Sequence, residues 1–82
     1  MAFDRKYGRV TLERGTIADD EPVFVVRAQD ALAPALLEHY ASMCEQAGSP
    51  ERHVRGVVSA AEGFRVWQRT HRTQTPVSAP PG

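Results

Sequence analysis

The chain has 82 residues, enough for one small domain whose core is only marginally stable on its own. A hydrophobic fraction of 41% and a charged fraction of 24% are typical of globular proteins and argue against global disorder. Basic and acidic residues number 10 each, and this zero net charge weighs against a protein held to nucleic acid by overall charge. The small size predicts a homodimer or a tight partner.

The N-terminal sequence lacks the apolar run of a signal peptide, and no stretch approaches the ~20 apolar residues that span a bilayer. We therefore expect a cytoplasmic protein without membrane contact. The single cysteine, Cys44, cannot form an internal disulfide. Its position on the apolar face of a helical pattern predicts a small core residue.

Two short strands are predicted first. Residues 7–13 alternate, with Val10 and Leu12 on one face, which indicates a half-buried strand that ends at a turn around Gly15. A polar loop follows, and its Pro22 suits the start of a strand. Residues 23–26 are continuously apolar and predict a second strand that is covered by helices or by another chain.

A first helix is predicted to open at Pro34, after a turn over residues 30–33, and to stop at Gly48. Helical spacing gives it an apolar face composed of Leu36, Leu37, Tyr40, Met43, Cys44 and Ala47.

A second helix is predicted to start with Ser49 as N-cap and Pro50 at the first helical position, and to run to about Thr70. Its predicted buried stripe consists of Val54, Val57, Val58, Ala61, Phe64 and Trp67. Gly56, Ala60 and Gly63 lie along one side of this helix. Because glycine costs about 1 kcal/mol in a helix, they suggest that another backbone passes closely.

These elements predict an α+β fold in the order β-β-α-α, with a short two-stranded antiparallel ribbon packed on a two-helix hairpin. The domain is expected over residues 1–72. Residues 73–82, rich in proline and poor in large apolar groups, are expected to form a flexible tail.

The sequence offers little for catalysis. It contains no phosphate-binding loop, no dinucleotide-binding glycine pattern and no nucleophile elbow. Cys44 and His39 lie on different helical faces, and the three histidines, His39, His53 and His71, lack metal-ligand spacing. We therefore predict a protein that is not an enzyme, with no cofactor and no metal, and histidines that lie on the solvated helix surface.

A polar cluster follows the predicted second strand and is the candidate site. Arg27, Gln29 and Asp30 stand at a strand-to-helix junction, where exposed backbone N–H groups help to hold an anion or a partner. Arg9 and Arg14, beside the Gly15 turn, are predicted to flank this site. The structural alternative is an internal ion pair between Arg27 and Asp30 or Glu21.

Several short motifs resemble a type of small uncharacterised protein encoded in bacteriophage and prophage genomes. They are Lys6-Tyr7-Gly8, Arg14-Gly15-Thr16-Ile17, Asp20-Glu21-Pro22-Val23-Phe24, Arg27-Ala28-Gln29-Asp30, a helix start at Leu32-Ala33-Pro34, and Trp67-Gln68. The resemblance covers roughly residues 6–69. It implies a non-enzymatic accessory protein, such as a host-defence inhibitor, that binds a host protein or sequesters a small anionic, nucleotide-like ligand.

The alternative is a dimeric nucleic-acid-binding regulator similar to ribbon-helix-helix repressors, with residues 23–27 as the paired strand. A basic stripe formed by Arg55, Arg65, Arg69 and Arg72 would then face DNA. The wholly apolar strand argues against it, because a strand that reads the major groove needs polar side chains at alternate positions.

Overall fold

The structure is a computed structural model that describes residues 2–75. The chain divides after Val26 into an N-terminal unit and a helical unit that begins at Arg27. The two units are described separately, and the single domain predicted over residues 1–72 stays a prediction. Most of the predicted tail, residues 76–82, lies outside the described residues.

The N-terminal unit contains a two-stranded antiparallel ribbon. Strand β1 (Phe3–Asp4) pairs with strand β2 (Gly8–Arg9), with Phe3 opposite Arg9 and Asp4 opposite Gly8. A further backbone hydrogen bond, from the Val10 amide to the Ala2 carbonyl at 2.9 Å, extends the pairing by one residue on each side. This ribbon is followed in the chain by two helices, which confirms the predicted β-β-α-α order and the α+β class.

The buried carboxylate of Asp4 organises this unit. Asp4 is only 3% exposed. Its Oδ1 accepts the backbone amides of Lys6 at 2.8 Å and Tyr7 at 2.9 Å, and its Oδ2 accepts the amide of Val25 at 2.6 Å. One side chain therefore closes the β1–β2 turn and also fixes a segment 21 residues along the chain.

The predicted positions of the strands are wrong. Of residues 7–13 only Gly8 and Arg9 form a strand, and residues 23–26 have no regular secondary structure. The amide of Val25 donates to the Asp4 carboxylate instead of to a neighbouring strand. Phe24 is 85% exposed, so the apolar run is not covered as a buried strand would be.

Helix α1 (Ala33–Gln46) begins one residue before the predicted start, after a turn in which Asp30 Oδ1 accepts the Leu32 amide at 2.8 Å. It ends as predicted at Gly48, which has a φ of 83°. The amide of Gly48 donates to the Glu45 carbonyl, and that of Ser49 donates to the Cys44 carbonyl. This pair of bonds is the Schellman arrangement, which satisfies the last carbonyls of the helix.

Helix α2 (Glu51–Gln68) follows at once and ends two residues before the predicted Thr70. Pro50, and not Ser49, is the N-cap residue, and no side chain caps this end. Ser49 is unsuited to that role because its backbone is already part of the turn that closes α1. The two helices pack against each other as an antiparallel hairpin.

The core of the hairpin consists of small side chains. Ala41, Cys44 and Ala61 are buried at the helix contact, and Ala33 and Pro34 are buried at the start of α1. Burial of Cys44 confirms its predicted role. The predicted apolar faces are otherwise wrong in part, since the larger members are a third to a half exposed: Leu36, Tyr40, Met43, Val58 and Trp67. Small residues at the contact let the helices approach closely, which leaves the larger groups on the flanks.

Replacing Gly48 with alanine is expected to destabilise the protein by about 1 kcal/mol, because a side chain at positive φ is strained. The control is Ser59→Ala. Ser59 is an exposed residue inside α2. That change is expected to stabilise the helix by about 0.5 kcal/mol. Urea unfolding measures both, and shifts of the same sign would contradict this account of the turn.

Candidate functional site

The structure places the five predicted site residues in two groups. Arg27 is an exposed residue at the start of the helical unit, and Gln29 and Asp30 follow it half-buried. Arg9 and Arg14 are exposed residues of the N-terminal unit. The two groups belong to different units, so the structure describes each by itself.

Hydrogen bonds within the helical unit hold the chain around Gln29 and Asp30. The Gln74 amide donates to the Gln29 carbonyl at 2.7 Å, and the Ala31 amide donates to the Gln74 carbonyl at 2.9 Å. From α2, Gln68 Nε2 donates to the carbonyls of Ala28 at 2.9 Å and Asp30 at 3.0 Å. The backbone of this junction is therefore fixed by two glutamines.

Sequence reasoning missed both glutamines as anchors. Gln68 lies four residues after Phe64 and seven after Ala61, so helical spacing alone places it on the contact stripe of α2, where a polar side chain needs a partner. No comparable signal marks Gln74, which lies in the region predicted to be a tail and forms a bridge with Asp30.

The stretch over residues 21–29, here named the connecting segment, is held at two points by hydrogen bonds from side chains elsewhere in the sequence. Asp4 holds Val25 within the N-terminal unit, and Gln68 holds Ala28 within the helical unit. Phe24, which directly precedes the first of these points, is 85% exposed, while Val23, Val25 and Val26 are half-buried. An exposed aromatic side chain thus stands beside a backbone amide, that of Val25, which is held within the N-terminal unit.

The N-terminal unit also carries an open groove of about 370 Å³. Of the two predicted flanking cations, Arg9 lines the groove and Arg14 does not. Gly15, with a φ of 79°, forms the predicted turn at its edge, and Asp19 brings a carboxylate of opposite charge.

The helix hairpin has two different sides, each marked by a contact between α1 and α2. On the first, which we call the Tyr40 side, the rings of Tyr40 and His53 meet edge to face with centroids 6.2 Å apart. On the second, the Glu38 side, Arg65 forms an ion pair with Glu38. A hydrogen bond with the Cys44 side chain raises the pKa of Tyr40 above its usual range.

At the end of α2 the rings of Trp67 and His71 stack in parallel, with centroids 4.0 Å apart. His71 Nδ1 also lies 2.7 Å from the Trp67 carbonyl oxygen. His53 and His71 therefore contact aromatic rings, a detail that their predicted place on the helix surface did not include.

Within residues 2–75, no three side chains of the histidine, cysteine, aspartate or glutamate type come together as metal ligands would. Neither helix is long and apolar enough to cross a membrane. No protein-family model, no curated protein and no solved structure matches this chain.

Proposed function

We propose that this protein is a non-enzymatic accessory protein of the phage type, such as a host-defence inhibitor, that acts by binding a host protein through the connecting segment. The observation that supports the proposal most is the 85% exposure of Phe24 beside the anchored backbone amide of Val25. The partner it fits has an apolar pocket for Phe24 and an acidic group for Arg27.

Because Phe24 is exposed in the free protein, a partner that buries its side chain gains free energy from the hydrophobic effect. Burying a phenylalanine side chain that is otherwise in water contributes roughly 1.5–3 kcal/mol. The anchors at Val25 and Ala28 reduce the entropy lost when the segment becomes ordered on a partner. Aromatic residues and arginine are also the residue types that dominate binding energy at protein interfaces.

Arg27 follows Phe24 closely enough for one partner to contact both. Three peptide units separate their Cα atoms, which therefore lie no more than about 11 Å apart. Arg27 is an exposed residue, and arginine suits a carboxylate at the rim of the pocket that receives Phe24. Gln29 and Asp30 serve this proposal as residues that hold the segment, not as contacts.

The small-anion version of the proposal is supported by the groove that Arg9 lines. A guanidinium beside the Gly15 turn is a suitable donor for a phosphate group, and Asp19 lines the same groove. The nucleic-acid alternative is less favoured, because it needs residues 23–27 as the paired strand and these residues form no strand.

We expect Phe24→Ala and Arg27→Ala each to reduce capture of the host partner by about tenfold or more, since each removes a central contact. Tagged wild-type protein and variants are compared by quantitative mass spectrometry of proteins captured from host extract. The matched control is Phe3→Ala, which removes an exposed aromatic residue of the N-terminal ribbon. Equal capture by Phe24→Ala and wild type, or an equal loss with Phe3→Ala, would contradict the proposal.

A further inference from the structure

The Tyr40 side of the hairpin is a continuous uncharged surface. Because successive helical residues are about 100° apart, the known contacts determine which other residues share this side. On α1 it contains Leu36, Tyr40 and Met43, and on α2 it contains His53, Val57, Ala60, Phe64 and Trp67.

The charged residues of the helices are segregated from this surface. Helical spacing places six charged residues toward the Glu38 side: Glu38, Glu45, Glu51, Arg55, Glu62 and Arg65. Four of them form the ion pairs Glu38–Arg65 and Glu51–Arg55. Arg52 is the exception: it is an exposed residue four positions before Gly56 and borders the glycine edge of this side. A partner can therefore cover the centre of the Tyr40 side without burying a charged group, a step that costs several kcal/mol when the charge is unpaired.

The two helices contribute side chains of different size to this surface. The α1 half carries the large side chains Leu36, Tyr40 and Met43, each about half exposed. The α2 half borders on Gly56, Ala60 and Gly63, and a Cβ added at either glycine meets no atom within 4 Å. The backbone expected to pass closely over these glycines is thus not present among the described residues.

The shape of the Tyr40 side is complementary to the same surface on a second copy of the chain. In a two-fold dimer the same patch occurs on both subunits, and each residue pairing appears twice. If two hairpins meet by their Tyr40 sides, the large groups on α1 of one copy lie over the small residues on α2 of the other. Knobs on one helix then fill hollows on its neighbour, as in four-helix bundles.

The large side chains of this surface supply nearly half of the area that a standard dimer interface needs. A large side chain presents on the order of 200 Å², so Leu36, Tyr40, Met43 and Trp67, a third to a half exposed, leave roughly 350 Å² per copy. A standard interface buries about 800 Å² on each partner, and the smaller residues of this side add to the total.

We propose that the Tyr40 side binds a second copy of this chain, and that two helical hairpins associate into a four-helix bundle. The proposal does not rest on the connecting segment. The dimer also covers large apolar groups that the alanine-rich core of a single hairpin leaves in water.

Sedimentation velocity on the purified full-length protein tests this directly, and we expect the apparent mass to double as concentration rises. Met43→Glu is expected to weaken association by about 100-fold, because each copy would bury a carboxylate. The matched control is Val66→Glu. Val66 is 55% exposed against 54% for Met43, but it faces away from the Tyr40 side, so association should be unchanged.

Trp67, the only tryptophan of the chain, gives a second readout that needs no variant. It lies on the proposed interface, so diluting the dimer should shift its fluorescence to longer wavelength and increase its quenching by acrylamide. A wild-type monomer at all concentrations, a dimer broken by Val66→Glu but not by Met43→Glu, or tryptophan fluorescence that stays constant through dissociation would each overturn the proposal.

Discussion

Asp4→Ala is expected to disorder the N-terminal unit while the helices remain folded. The change leaves three backbone amides, those of Lys6, Tyr7 and Val25, without their acceptor. An unsatisfied buried donor costs more than a hydrogen bond contributes when it is made, and within residues 2–75 no other side chain links the ribbon to Val25 in this way. We expect amide exchange at these three positions to accelerate by about tenfold or more.

Hydrogen exchange followed by NMR measures this effect residue by residue. The control is Asp20→Ala, which removes an exposed carboxylate from the same unit. Asp4→Asn keeps one carbonyl oxygen as an acceptor and should fall between the wild type and Asp4→Ala. Unchanged protection of the Val25 amide in Asp4→Ala would contradict the role given to this carboxylate.

The stability of the N-terminal unit is also expected to depend on pH. The hydrogen bond from the Val25 amide, with those from Tyr7 and Lys6, lowers the pKa of Asp4 below its usual 3.8. A carboxyl whose pKa is lower in the folded state stabilises the fold fully above its unfolded pKa. That contribution is lost as pH falls through the lowered folded pKa. Protection of the Val25 amide should therefore decline below about pH 4, and in Asp4→Asn this decline should be absent.

Ala41→Leu is expected to cost about 2 kcal/mol or more, because a leucine side chain does not fit where α1 and α2 approach each other on small residues. For a chain of this size, that corresponds to a fall in Tm of roughly 10 °C. Thermal unfolding followed by circular dichroism at the helix band measures it.

The matched control for this prediction is Ala35→Leu in the same helix. Ala35 is exposed, so the added side chain meets solvent and the change should stay within about 0.5 kcal/mol. If both variants unfold at the wild-type temperature, the contact between α1 and α2 is looser than the buried alanines indicate. Equal losses of stability in both variants would mean that helix propensity, and not packing between the helices, causes the effect.

The helix boundaries could be predicted because their signals are local. Gly48 adopts the positive φ that ends α1, and Pro34 and Pro50 stand where a missing backbone N–H costs little. Each signal depends on the chemistry of one residue and its immediate neighbours. The structure shifts these boundaries by two residues at most.

The strands could not be located because their hydrogen-bond partners are distant in sequence. Residues 23–26 have the β-branched composition of a strand, yet the Val25 amide is satisfied by the side chain of Asp4. Periodicity likewise shows that a helix has an apolar stripe but does not show which part of a broad stripe turns inward. Here Ala41, Cys44 and Ala61 are buried in preference to Tyr40 and Met43.

The candidate site was predicted only as residue types along the chain. Arg27, Gln29 and Asp30 are neighbours in sequence, so their grouping needed no fold. The exposure of Phe24 was missed because a run of apolar residues normally indicates burial. Its anchors were missed because hydrogen bonds from Asp4, Gln68 and Gln74 reach the segment from other parts of the chain.

Native mass spectrometry of the protein purified from its natural host background tests the binding proposal most directly. We predict a complex that contains a host polypeptide and that is lost in the double variant Phe24→Ala/Arg27→Ala. The mass of the complex also reports one or two copies of this chain, which tests the proposed dimer independently. Recovery of the chain with only a nucleotide-sized ligand, or with no host polypeptide at all, would contradict the central claim that this protein acts by contacting another protein.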